Sequence, residues 1–262
     1  MWVEGGRLLR FRMNFFPEDY ASRLIGSFAD FIMDEEKGIF YKVFKPKIIR
    51  KFPELICNEL DYTELLTGFG ISPKYLGFSE KDLDVVLEME LIRGYDLLYR
   101  DVDLPIFISA AETLRDFHNL GLVHRDIKPN NFVYDEVERR VKLVDFTLTV
   151  ENEFEERGFI GTAAYASPEQ SRGWGDSRSD IYSFGMMMYG KLNEEHPLEQ
   201  CRDVDELLRW QKNKNIKMPH LHTIRPDIDF MVCDVVMRCL EKRVENRYQS
   251  MKEVVRDLKR AV

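Results

Sequence analysis

Within eight residues, His124-Arg125-Asp126-Ile127-Lys128-Pro129-Asn130-Asn131, the chain sets a carboxylate, an ammonium and a carboxamide side by side. A second carboxylate, Asp145, follows fourteen residues after Asn131, at the end of the apolar run Val141 to Val144. A carboxylate within reach of a hydroxyl can take its proton. Carboxylate and amide oxygens are also the hard donors that Mg²⁺ prefers, and it takes few of them from a protein. The plainer reading of the same residues is a polar turn with a capping aspartate.

These residues need a frame. Phe31 to Met33, the turn Asp34-Glu35-Glu36-Lys37-Gly38 and Ile39 to Phe44 read as a β-hairpin. Phe52 to Leu66 carries Leu55, Ile56, Leu60, Leu65 and Leu66 at a rough helical period. Residues 20–93 therefore read as short strands with one helix, closed by the strand Val85 to Leu91. Pro105 to Asn119 reads as an amphipathic helix with Pro at its start and Gly121 just past its end. Short strands follow, Leu122-Val123 with Phe132 to Tyr134, and Val141 to Val144. Beyond residue 176 the pattern is helix and loop. The expectation is an α+β chain in which a small β-rich part precedes a larger helical part, with the change near residues 92–95.

Composition narrows the function. The formal net charge is −8, from 38 Lys and Arg against 46 Asp and Glu, the wrong sign for a non-specific nucleic-acid binder. Cys57, Cys201, Cys233 and Cys239 form no C-x-x-C pair and are too sparse for a disulfide scaffold, so they are expected to be buried thiols in a reducing compartment. Glu4, Arg7, Arg10 and Arg12 interrupt the first residues, which do not read as a signal peptide. No run nears the roughly 18 apolar residues of a membrane span. A cytoplasmic location is expected, with no membrane segment. His220 and His222 are read as surface histidines, because a metal site would need more ligands nearby.

The ordered set H-R-D-x-x-x-x-N, Asp145-Phe146 and Ser167-Pro168-Glu169 resembles the protein-kinase signature. Tyr165 to Gln170 and Asn246 to Ser250 are most similar to the eukaryotic-like Ser/Thr kinases of bacteria. The resemblance runs from about Ser22 to Leu258. It implies the two-lobed protein-kinase fold: a small antiparallel-sheet N-lobe over about 20–93, a larger helical C-lobe over 94–262, and an N-terminal extension over 1–19, all in one domain. It implies ATP and Mg²⁺ as cofactors and a protein substrate of unstated identity. Asp126 would accept the proton of the substrate hydroxyl, and Lys128 would neutralise the γ-phosphate. Asn131 and Asp145 would hold the metal. Lys42 would anchor the α- and β-phosphates and Glu59 would hold Lys42, with Lys45, Glu54 and Glu64 as competing assignments. Met89, Glu90 and Ile92 would line the adenine edge, Asp96 would meet the ribose, and Val133 would form the pocket floor. Thr162 would bridge Asp126 and Lys128. Asp180 would brace the Asp126 loop, and Glu169 would pair with Arg247.

The pattern also breaks. Leu24-Ile25-Gly26-Ser27-Phe28-Ala29-Asp30-Phe31 stands where three glycines and a valine are usual, and only Gly26 remains. Phe31 and Phe40 would form the nucleotide roof, and weakened nucleotide binding is expected. Thr147 replaces the glycine after Asp145-Phe146, and Thr63 stands where an apolar side chain is usual. Arg125 is of the kind that binds a phosphate, yet Val150 to Gly161 contains no Ser, Thr or Tyr. One of Glu151, Glu153, Glu155 and Glu156 is expected to pair with Arg125 instead, leaving Thr149 as a candidate for modification. Two readings follow: an active protein Ser/Thr kinase, or a pseudokinase that keeps the fold as a binding module.

Overall fold

Asp34 opens the first turn by accepting the backbone N–H of Lys37 on Oδ1 (3.0 Å), and Gly38 closes it at φ +67°. The turn joins β1 (Ala29–Asp34) to β2 (Ile39–Phe44). The computed structural model describes residues 29–81, 83–98, 100–193, 198, 201, 203–213 and 215–261. Leu24, Gly26 and the extension over 1–19 lie outside them. β3 (Tyr75–Lys81) and β4 (Asp84–Glu90) complete an antiparallel sheet in the order β1-β2-β4-β3. Phe31 lies opposite Lys42, Lys42 opposite Leu87, and Phe40 opposite Met89. Directly opposed residues share a face of the sheet, so Phe31, Phe40, Lys42, Leu87 and Met89 all project from one side.

That side is covered by two helices rather than the one expected. α1 (Pro46–Lys51) and α2 (Pro53–Thr67) are separated at Phe52, whose backbone is non-helical at φ −140°, ψ 57°. Pro53 causes the break, because proline disfavours the helical conformation of the residue before it. Ile48 and Ile56 from the two helices bury against Phe44, Leu87 and Met89.

The chain leaves this sheet through Leu91–Arg93 and enters a second one, ordered β5 (Gly94–Asp96), β7 (Phe132–Asp135), β8 (Arg140–Leu143). A β-carbon at Gly94 would collide with the Tyr134 carbonyl, which is why the strand enters on glycine. α3 (Leu104–Asn119) starts with Asp103 accepting from the Ile106 N–H and ends before Gly121, whose φ is +75°. β6 (Leu122–Val123) pairs with β9 (Val150–Glu151), not with Phe132 to Tyr134. Two-residue strands carry no periodicity, and the partner lies 27 residues downstream. β10 (Glu153–Glu155) pairs with β11 (Trp174–Asp176).

The remainder is helical: α4 (Ser177–Asn193), α5 (Val204–Lys212), α6 (Leu221–Ile224), α7 (Phe230–Cys239) and α8 (Met251–Arg260). α4 is buried on every side from Ser179 to Tyr189, so the helical part is built around it. α8 buries Met251, Val254, Val255 and Leu258, one helical stripe, with α3 as its main neighbour. Among the described residues no helix is long and apolar enough to cross a membrane.

Candidate active site

The Asp126 loop runs between β6 and the 3₁₀ turn Pro129–Asn131, and its backbone is strained. Arg125 has φ +68°, a conformation costly for a residue with a side chain. Three bonds hold it there. Asp180, in the first turn of α4, accepts the His124 N–H on Oδ2 (2.8 Å) and the Arg125 N–H on Oδ1 (2.9 Å). Gln170 Nε2 donates to the Arg125 carbonyl (2.6 Å). The His124 imidazole, buried in the core, has its pKa pushed down by burial.

The side chains of the loop converge. Lys128 Nζ donates to Asp126 Oδ2 (2.6 Å), and Thr162 Oγ1 donates to Asp126 Oδ1 (2.6 Å). Lys128 also reaches Thr162 Oγ1 at 3.2 Å. Asn131 Nδ2 donates to the Asp126 carbonyl (2.8 Å). Burial works against the Lys128 ammonium, but Asp126 and Asp145 outweigh it and its pKa lies above the ordinary value.

A second cluster joins the sheet to the helical part. Lys42, near the middle of β2, donates to Glu59 Oε1 of α2 (2.7 Å) and to Asp145 Oδ1 (2.9 Å). Both competing glutamates, Glu54 and Glu64, are exposed, and Lys45 pairs on the surface with Asp30. Burial opposes the Lys42 charge, yet the two carboxylates hold its pKa above the usual lysine range. Burial alone would raise the Asp145 pKa, but Lys42 and Lys128 bring it well below the carboxylate range, so Asp145 is ionised. Burial pushes the Glu59 carboxyl up, against the pull of Lys42.

The donor set suits Mg²⁺. Asn131 spends its Nδ2 on Asp126, and Asp145 spends Oδ1 on Lys42 and on the Thr147 hydroxyl (3.0 Å). Asn131 Oδ1 and Asp145 Oδ2 carry no hydrogen bond among the described residues. One neutral and one anionic oxygen, the rest left to water and phosphate, is the sparse coordination Mg²⁺ favours. Among the described residues no group of three His, Cys, Asp or Glu could form an all-protein metal cage.

Phe31 and Phe40 project from the same sheet face as Lys42 and lie 5.8 Å apart, ring centre to ring centre, tilted by 34°. Met89 is buried beside Phe40. At the connection between the sheets, the Glu90 side chain accepts from Lys142 Nζ (2.8 Å) and from the Lys74 N–H (2.9 Å). The neighbouring Leu91 N–H is taken by Gly38, while the Ile92 N–H has no partner among the described residues. Asp96 accepts the Leu98 N–H, and Val133 lies opposite it across β5 and β7.

Behind the site, Glu156 is the glutamate that meets Arg125, at 2.7 Å. The same guanidinium donates to the Leu148 carbonyl and lies over the Phe154 ring. Glu169 and the fully buried Arg247 form a two-pronged pair at 2.7 and 3.2 Å, and Ser179 donates to the same carboxylate. Burial alone would raise the Glu169 pKa, but Arg247 holds it below the usual value.

Several expectations are corrected. Thr149 is 1% exposed, and its hydroxyl is enclosed with no hydrogen-bond partner among the described residues, so it is closed to modification in this fold. Cys57 is exposed on α2, not buried, and Cys201 is half-buried. Thr63 is buried, but its hydroxyl satisfies itself on the Glu59 carbonyl (2.6 Å), which lets a polar residue occupy an apolar place. His220 and His222 remain partly exposed, as a surface reading has them, the first stacked on the Phe230 ring and the second edge-on to it. The sequence reading missed Asn58, which bonds the Asp145 segment, and the Lys142 cluster of Glu90, Glu138 and Asp135. Asn58 stands directly before Glu59, and that adjacency was the available signal.

Comparison with known proteins agrees with this geometry. Residues 41–258 match the protein kinase domain family. Serine/threonine-protein kinase A of Synechocystis is 33% identical over 204 residues, covering 69% of this chain and 39% of that protein. Serine/threonine-protein kinase PknB of Mycobacterium leprae is 33% identical over 186 residues, 65% of this chain and 29% of its own. A probable serine/threonine-protein kinase of Clostridium perfringens is 30% identical over 176 residues, 65% of this chain and 25% of its own. The chain thus spans about a quarter to two-fifths of the length of these curated relatives. With the family match extending from β2 to α8 over a sheet followed by a helical part, the chain belongs to the protein kinase domain family.

Proposed function

We propose that the chain is a protein serine/threonine kinase, transferring the γ-phosphate of ATP to a Ser or Thr hydroxyl of a protein substrate. The observation that carries this reading is the Asp126 carboxylate fixed between Lys128 and Thr162, with Lys42, Glu59 and Asp145 joined in a second charged cluster. Phosphoryl transfer asks little covalent chemistry of a protein and depends on position and charge. In this reading Asp126 takes the proton of the attacking hydroxyl. Lys128, within hydrogen-bond reach of Asp126, faces the transferring phosphoryl group. Lys42, kept charged by Glu59 and Asp145, holds the α- and β-phosphates. Asn131 and Asp145 would hold Mg²⁺, which when bound neutralises phosphate charge. Ile92 offers its free N–H to the adenine edge, Glu90 its backbone and Asp96 its carboxylate to the ribose, with Met89 and Val133 as apolar walls. Phe31 and Phe40 form the roof. We read 1–262 as one kinase domain, with lobes over about 20–93 and 94–262, acting in the cytoplasm.

The pseudokinase reading is not favoured. A chain kept only as a binding module has no need for Lys42, Glu59, Asp126, Lys128, Asn131 and Asp145 together.

The test is transfer of labelled γ-phosphate, with Mg²⁺, to the protein itself and to a generic basic protein. Asp126→Asn and Lys42→Met are each expected to lower transfer by roughly 10²- to 10⁴-fold, the range of a lost proton acceptor or phosphate ligand. Nucleotide-induced shifts in melting temperature are read in parallel. A folded wild type with neither transfer nor a nucleotide-induced shift would overturn the proposal.

A further inference from the structure

The segment that carries Asp145 is tied down more tightly than its ion pair with Lys42 requires. Thr147 Oγ1 donates to Asp145 Oδ1 (3.0 Å), the oxygen that Lys42 also reaches. Asn58 Nδ2 donates to the carbonyls of Thr147 (3.4 Å) and Thr149 (3.2 Å). An amide nitrogen has two hydrogens, so both are used. Asn58 and Glu59 are neighbours on α2. The bonds therefore close a ring: Glu59 to Lys42, Lys42 to Asp145, Asp145 to Thr147, Thr147 to Asn58, and back along α2 to Glu59.

This ring has a consequence for the metal ligand. The terminal torsion of an aspartate is broad and nearly two-fold, so a carboxylate with one donor can turn over and exchange its oxygens. Two donors converging on Oδ1 remove that freedom and leave Oδ2, without a hydrogen bond among the described residues, for a ligand. The backbone adds a second reason. Asp145 has φ +67°, a strained conformation that persists only where its surroundings enforce it. Thr147 is buried and β-branched, hence stiff, and Asn58 grips its carbonyl from the neighbouring helix.

We infer that Asn58 and Thr147 are positioning residues that hold the Asp145 carboxylate in its metal-binding orientation and couple that orientation to the placement of α2. The role rests on the kinase reading above. It needs no direct contact of either residue with nucleotide or metal.

Two measurements test it, and the first needs no activity. Amide hydrogen exchange is followed in the ligand-free protein for wild type, Thr147→Val, Thr147→Ser and Asn58→Leu. Residues 145–150 are compared with α8 as an internal reference. Thr147→Val and Asn58→Leu are expected to speed exchange over 145–150 by about ten-fold relative to α8, the effect of one lost hydrogen bond to a charged or buried group. Thr147→Ser, which keeps the donor, is expected to stay near wild type. The second measurement is calorimetric titration of Mn²⁺ in the presence of a non-hydrolysable ATP analogue. The half-saturating metal concentration is expected to rise about ten-fold in Thr147→Val and Asn58→Leu, and to change little in Thr147→Ser. Unchanged exchange over 145–150 in both variants overturns the inference, as does an equal rise in α8, which would report a loosened fold. If wild type transfers no phosphate, the kinase reading falls, while the exchange experiment still decides whether the ring holds the segment.

Discussion

Around Asp126, each charged group meets a partner of fixed direction: Lys128 and Thr162 on its two oxygens, Asp180 on two backbone N–H groups, Glu156 on Arg125. On the β1–β2 hairpin, Lys42 is the one directed contact toward the cleft among the described residues, through Glu59 and Asp145. There Phe31 and Phe40 lean on each other beside Met89, held by shape alone. The loop resembles its family at every fixed position, and the hairpin departs from it at most of them. The physical reason lies in what each contact does. Moving a proton and neutralising a phosphate require charge at a defined atom, and no other residue type supplies it. Covering a purine requires only apolar surface of about the right volume, and such surface tolerates exchange at modest cost. The same contrast explains why one strained residue, Arg125 at φ +68°, is kept in the loop: it is surrounded by bonds that enforce it.

The largest effect should follow from cutting a brace under the loop. Asp180 touches no reacting group in our reading. Asp180→Ala would leave the His124 and Arg125 N–H groups buried without acceptors, at about 1–3 kcal/mol each. We expect a stability loss of about 2–6 kcal/mol by denaturant titration. We also expect transfer to fall by about 10²-fold or more in the protein that remains folded, because a displacement near 1 Å is enough for that. A stable Asp180→Ala protein with near-normal transfer would mean that the loop holds its shape without directed partners, and the contrast with the hairpin would dissolve.

How much of this was legible before the structure depends on the range of the signal. Asp126, Lys128 and Asn131 lie within one short loop, and Asp145 ends the next strand pair, so spacing along the chain already stood for spacing in the site. The hairpin and α2 were legible because alternation and helical period are local. The second helix, α1, was hidden by its composition: Pro46, Lys47, Arg50 and Lys51 leave only two apolar residues to carry a period. β3 was missed because Tyr75-Leu76-Gly77-Phe78 breaks alternation at a bulge. The β6–β9 pairing, the Asn58 bonds and the enclosure of Thr149 join residues far apart in the chain, and no local pattern encodes them. Glu59, Thr162, Asp180 and the Glu169–Arg247 pair were named through family resemblance, since nothing in their own neighbourhoods points to their partners.

A smaller effect should come from the acidic segment. Arg125 is 5% exposed at its side chain, and Glu156 is 35% exposed. Breaking a fully buried pair from one side costs about 3–5 kcal/mol, and an exposed pair is worth under about 1. Glu156 lies between these limits, so Glu156→Lys is expected to cost about 1–2 kcal/mol of stability and to lower the transfer rate as the Arg125 backbone loosens. Glu156→Asp should recover much of it. Phosphatase treatment of wild type should leave the rate unchanged, since residues 150–161 offer no hydroxyl. A rate that depends on phosphatase treatment would show that Arg125 answers to a phosphate elsewhere and that Glu156 is a bystander.

The smallest effect is expected at the roof, and its sign is the informative part. Phe40 faces the same side as Lys42, so in the proposed kinase reading its ring would narrow the space above the nucleotide. Overpacking costs about 1–3 kcal/mol, and turning of the ring recovers part of that. Phe40→Ala is therefore expected to tighten ATP binding by about five-fold, near 1 kcal/mol, with little change in the transfer rate at saturation. The opposing view is that Phe40 stacks on the purine and contributes affinity. The rings argue against it, because Phe31 and Phe40 are tilted by 34° and packed on each other, so they present no single flat plate. Nucleotide titration of the two proteins decides the matter. Tighter binding in Phe40→Ala identifies the roof as a shape constraint, replaceable at small cost. Weaker binding would make Phe40 a directed contact, tied to one partner in the way Lys128 is tied to Asp126, and would place the hairpin on the same footing as the loop.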